Sequence, residues 1–168
     1  MEIINKIEKS GLITLDLADF YPRGKRTIID IKDFLWQGMI LKEVEFRQMI
    51  KGHNWDQYQD QYIALFSSED AIIANWAYMN ISSKLHGIAK KTVFGNLEFL
   101  ENNLFNESLK SLNPSDYQDK RVLIKGCGST PIPTFAYVKI TELLQPVVKS
   151  LMYGEACSSV PVFKAKKG

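Results

Sequence analysis

The chain is predicted to fold as a single α/β domain, residues 1–168, with a mostly parallel central sheet of βαβ units, helices packed on it and an N-terminal β-hairpin in front. Three observations carry this prediction. After residue 61, apolar runs of strand length alternate with amphipathic runs of helix length. Residues 121–154 echo residues 62–95 at a fixed offset. Two early strand-like runs flank a segment containing proline and glycine.

The hairpin comes first. Leu12 to Phe20 alternates loosely and is rich in Leu, Ile and Thr, a strand pattern. Tyr21-Pro22-Arg23-Gly24-Lys25 supplies a turn, because proline fixes one φ and glycine frees another. Thr27 to Ile31 is the returning strand. Residues 41–50 fit two templates. Phe46, Met49 and Ile50 stand at helical spacing among good helix formers, whereas Val44 and Phe46 alternate with charged residues as in a strand. The helical reading, ending near Gly52, is the stronger. His53 to Gln61 is polar and reads as a surface connection, so residues 1–61 hold hairpin and helix and residues 62–164 the βαβ core.

Within that core, Tyr62 to Phe66 is a strand, Ala71 to His86 a helix stopped by Gly87, and Lys91 to Phe94 a strand. Leu97 to Leu112 is a helix ended by Asn113-Pro114, and Arg121 to Lys125 a buried-type strand. A helix starts near Thr134, and Val160 to Lys164 is the last strand, which Pro161 places at an edge. Laid over each other without gaps at an offset of 59, the segments 62–95 and 121–154 share Ile73, Ala77, Tyr78, Ile81, Leu85, Lys90 and Gly95 with their counterparts. The match makes 147–153 a strand. The apolar stripe Ile140, Leu144, Val148 and Met152 runs instead straight through Pro146, and predicts a kinked helix reaching Met152 despite the roughly 3 kcal/mol that an internal proline costs.

Composition narrows the function. A net charge of +2 argues against nucleic acid and anionic membranes as partners, and leaves a protein partner open. No run approaches the roughly 20 apolar residues of a membrane span. Charges at Glu2, Lys6, Glu8 and Lys9 interrupt any export-type apolar stretch, and two cysteines are few for a secreted scaffold, so a cytoplasmic home is expected. The chain lacks the phosphate-loop, zinc-protease, nucleophile-elbow and complete dinucleotide-binding patterns, so no cofactor is assigned.

In parallel sheets ligands bind beyond the carboxyl ends of the strands. Two loops occupy such ends, 67–70 with Ser67, Ser68 and Glu69, and 126–131 with Gly126, Cys127, Gly128, Ser129 and Thr130. Each leads to a helix N-terminus, where free N–H groups favour an anion, and glycines at 126 and 128 let the backbone approach closely. Cys127 is the candidate catalytic thiol, since a helix N-terminus lowers a thiol pKa. Cys157 and His53 are its candidate companions at a metal, although the chain has no C-x-x-C.

The segments Gly11 to Leu17, Ile29 to Phe34, Lys125-Gly126-Cys127 and Gln145 to Met152 resemble a bacterial family, domain-of-unknown-function family 2480, and the resemblance runs over nearly the whole chain. It implies no established activity and supplies no catalytic residues. It also implies a link to gene neighbourhoods for iron–sulfur cluster assembly, which makes Cys127 and Cys157 candidate sulfur- or iron-handling residues. Two functions are therefore expected. One is a thiol- or metal-dependent accessory protein with Cys127 as primary thiol, Cys157 as its partner and His53 or Glu69 in support. The other is a non-catalytic module that binds a small anion or a protein partner at the loops 67–70 and 126–131.

Overall fold

A computed structural model of the chain describes residues 11–126 and 128–168. The expectations about residues 1–9 and about the placement of Cys127 lie outside the described residues. In chain order the elements are β1 (Leu12–Leu15), β2 (Arg26–Asp30), α1 (Glu43–Gly52), β3 (Tyr62–Phe66), α2 (Asn75–Leu85), β4 (Lys91–Phe94), α3 (Leu97–Ser108), β5 (Arg121–Ile124), α4 (Thr134–Leu144), β6 (Ser150–Tyr153) and β7 (Val160–Lys164). The fold is α/β, with sheets rich in parallel pairs.

The strands divide between two sheets and the chain between two compact units. The split unit takes the chain up to Pro22 and again Asn102–Gly168; the continuous unit is Arg23–Glu101. In the split unit the sheet order is β1-β5-β6-β7, with β7 alone antiparallel. In the continuous unit it is β2-β3-β4, all parallel. The two N-terminal strands both form, but they lie in separate sheets and do not pair as a hairpin. Each instead takes a parallel partner from later in the chain, Leu12 opposite Arg121 and Arg26 opposite Tyr62. Both strands also end early for the same local reason. Asp16 and Asp30 turn their carboxylates back to accept from the amides of Ala18 and Lys32, which starts a short 3-10 turn and stops the strand.

Each unit has its own core. In the split unit Ile13, Leu15, Phe105, Val122, Ile140 and Leu151 are among the buried residues, and in the continuous unit Ile31, Phe46, Ile63, Ile81 and Leu85. The elements coincide at the offset of 59. Residues 75–85 of α2 map onto 134–144 of α4, and residues 91–94 of β4 onto 150–153 of β6. Backbone hydrogen bonds follow the same rule. Asp60 N–H donates to Ile88 O and Asp119 N–H to Val147 O; Gly95 N–H donates to Leu65 O and Gly154 N–H to Ile124 O. Asp60 and Asp119 share a φ of 57°.

The helix expected through Pro146 ends instead at Leu144, and residues 150–153 are strand β6. Proline has no N–H to continue the helical ladder, and β5 offers four residues of backbone pairing beyond it. Val148 and Leu151 are buried all the same, so the apolar stripe was serving the core in two different backbone states. Elsewhere α1 forms over 43–52 as the helical spacing requires, and β7 stands at the sheet edge. Helix α2 starts at Asn75, four residues later than Ala71, with extended backbone at Ala74. The connection after His53 is a short 3-10 turn whose Trp55 is buried and donates from Nε1 to Ile50 O at 2.9 Å. No helix among the described residues is long and apolar enough to cross a membrane.

Candidate functional site

The parallel strands β1, β5 and β6 end side by side, and their carboxyl ends frame a cavity of about 470 Å³ in the split unit. Asp16 enters from the end of β1, Lys125 and Gly126 from β5, Tyr153 from β6, and Tyr137 from the first turns of α4. The loop residues Gly128, Ser129 and Thr130 complete the wall. Asp16 is fixed twice. One oxygen accepts from Ala18 N–H at 2.9 Å and the other faces Lys125 Nζ at 3.5 Å. Tyr153 donates its hydroxyl to Gly126 O at 3.2 Å and meets the Tyr137 ring edge to face at 5.5 Å. Burial pushes the Tyr137 phenol up, with smaller contributions from Tyr153 and Asp16, so it stays a protonated donor at neutral pH.

Gly126 is required by the close approach of Tyr153. A Cβ built there would meet the ring, with the hydroxyl oxygen 2.6 Å away. Gly128 meets nothing within 4 Å. Among the described residues, the amides of Gly128, Ser129 and Thr130 and the two hydroxyls make no hydrogen bond to protein. They are open to solvent or to a ligand, beside a lysine, on the approach to α4.

The corresponding place in the continuous unit is arranged differently. Asp30 there also caps a 3-10 turn, accepting from Lys32 N–H at 3.1 Å, but it accepts in addition from Ser68 N–H at 3.2 Å. Glu69 N–H is taken by Ser67 Oγ, which donates in turn to Glu69 O. Burial would raise the Asp30 carboxyl, but the bonds from Ser68 and Lys32 and the Lys32 charge outweigh it and hold the group below its ordinary value. The loop 67–70 is thus tied down by its own aspartate, and the amides of Ser68 and Glu69, expected to receive an anion, are already satisfied.

The remaining candidates belong to different units. Cys157 is exposed in the turn between β6 and β7 of the split unit. His53 belongs to the continuous unit, packed by Phe34, Trp55 and Tyr58, with Nε2 2.9 Å from the Tyr58 hydroxyl. Among the described residues no three metal-ligating side chains come together. Burial holds the His53 imidazole below its ordinary 6.5. The unfolded chain therefore takes up the proton first as pH falls. The contribution of this one group to stability is full above about pH 6.5 and declines below it, until the folded ring protonates in turn. Urea unfolding near neutrality and near about pH 5 should show a larger loss for the wild type than for His53→Gln; equal losses would remove His53 as the cause.

Gly126, Gly128, Ser129 and Thr130, singled out from the sequence, line this cavity, and so do Asp16, Tyr137 and Tyr153, which were not singled out as site residues. A signal existed for Asp16. Leu15-Asp16-Leu17-Ala18-Asp19-Phe20 and Ile29-Asp30-Ile31-Lys32-Asp33-Phe34 are near copies, and each sets its first aspartate at a strand's carboxyl end.

The chain has α/β units and a polar cavity at the carboxyl ends of parallel strands, the place where ligands bind in open α/β sheets. Over residues 1–165 it matches, and belongs to, the family described as protein of unknown function (DUF2480). No curated protein and no solved structure matches it.

Proposed function

We propose that the protein is a binding module that takes a small anionic ligand in the split-unit cavity. The single observation behind this reading is the set of donors without protein partners at Gly128, Ser129 and Thr130 beside Lys125. The Tyr137 phenol adds a further donor, and the Lys125 charge offsets that of Asp16 in the same wall. The anion sits on the loop amides and hydroxyls, and Lys125 turns from Asp16 toward it.

Titration with inorganic phosphate, followed by amide NMR, tests this. Shifts should concentrate at Gly126, Gly128, Ser129 and Thr130, and Lys125→Ala should weaken binding about tenfold, the weight of one charge-assisted hydrogen bond. Unmoved amides at those four residues would end the proposal. A thiol- or metal-dependent accessory role, including one in iron–sulfur assembly, is a second reading, supported by Cys127 standing in sequence between two residues of the cavity wall. Metal that copurifies with the wild type and is lost in Cys127→Ser would favour it over simple anion binding.

A further inference from the structure

The two sheets differ at one edge. In the split unit, β6 is covered by β7, which runs antiparallel with Leu151 opposite Phe163 and Tyr153 opposite Val160. In the continuous unit β4 holds the equivalent place 59 residues earlier, but the chain turns at Gly95 into α3 and β4 is left as the sheet edge. The equivalence extends to side chains. Beside β6 lies a groove lined by residues that include Ile124, Tyr137, Thr141 and Tyr153, with Val162 contributed by β7 itself. Its counterpart beside β4 is lined by Leu65, Tyr78, Met79, Ser82 and Phe94 among others, and its volume is about 680 Å³ against about 380 Å³. Phe94 is 66% and Met79 69% exposed. Gly95 N–H donates to Leu65 O on the β3 side, so the alternation of a parallel strand turns the N–H and C=O of Thr92 and Phe94 outward. Open backbone groups beside an apolar groove form a template for another strand.

We propose that β4 of a second copy occupies this edge, antiparallel across a two-fold axis, so that the two three-stranded sheets continue into one. Three considerations choose this occupant. The place of β7 on β6 shows that this edge of the repeated unit accepts an antiparallel strand. A two-fold axis makes two facing edges antiparallel with no further condition, which is why isologous dimers suit it. With Thr92 on the axis, its outward N–H and C=O pair with those of the other copy, Phe94 faces Lys90, and Lys91 faces Val93. No like charges then stand opposite each other.

Light scattering on the full chain at micromolar concentration reads the outcome. Wild type should run at twice the 19.2 kDa chain mass. Phe94→Lys and Thr92→Pro should run at the chain mass; the first replaces an exposed ring by a charge facing Lys90 of the other copy, and the second removes an outward donor at an edge where proline is tolerated. Val138→Lys, at the place on α4 that Met79 holds on α2, should remain dimeric. Circular dichroism melts confirm that Phe94→Lys is folded. A wild type at the chain mass overturns the proposal and leaves the edge to a strand of another protein. A dimer that survives both edge substitutions overturns it equally and puts the interface elsewhere.

Discussion

Phe46→Ala is expected to remove about 3–5 kcal/mol from the stability of the continuous unit. Helix α1 buries two residues, Phe46 and Ile50, while Val44 and Met49 on its other faces are exposed. Phe46 is fully buried and is the joint of an aromatic cluster, with Trp76 edge-on at 5.4 Å and Phe34 at 6.4 Å. Truncation loses the transfer free energy of the ring and leaves a void walled by two rings too rigid to collapse into it. Val44→Ala, on the exposed side of the same helix, should change stability by less than about 0.5 kcal/mol. Hydrogen exchange in Phe46→Ala should accelerate most at β2 and β3. A loss below about 1 kcal/mol would mean that the cluster relaxes around the missing ring and that α1 is held by other means.

Gly126→Ala should abolish phosphate binding at a modest cost to the fold. The added methyl displaces the Tyr153 ring, breaks its bond to Gly126 O and its edge-to-face contact with Tyr137, and so removes one wall of the cavity. Tyr153 is 39% exposed, so its ring can swing into solvent, and the cost is about 1–3 kcal/mol. Gly128→Ala, whose methyl meets nothing within 4 Å, should bind as the wild type does. Phosphate-induced thermal shifts on the three proteins read both effects together. Binding retained in Gly126→Ala would show that the Tyr153 wall plays no part.

Much of this architecture was legible because strand and helix periods are local. The span of α1, the strand 62–66, the start of α4 at Thr134 and the edge position of β7 all follow from spacing, glycine and proline. Partner choice is not local. The Tyr21 to Lys25 segment suits a tight turn, yet nothing in it records that β1 pairs with β5 and β2 with β3. Pro146 shows the opposite limit. Periodicity favoured a helix there, whereas the offset of 59 favoured the strand that forms, because a repeat carries tertiary information that a single stripe does not. That repeat also continues upstream of Tyr62, with Tyr58-Gln59-Asp60 matching Tyr117-Gln118-Asp119. At the site, glycine and hydroxyl residues marked the loop. The tyrosines were hidden because each also serves as an ordinary packing residue on α4 or β6.

The interrupted unit sets an order on synthesis. The chain leaves that unit at Pro22 and returns at Asn102, so the whole continuous unit emerges from the ribosome before the strand that β1 needs. Residue 12 must wait for residue 121, and closing so long a loop is easier once the intervening chain has already condensed. Translation should therefore build the inner sheet first and leave β1 unpaired until β5 is made.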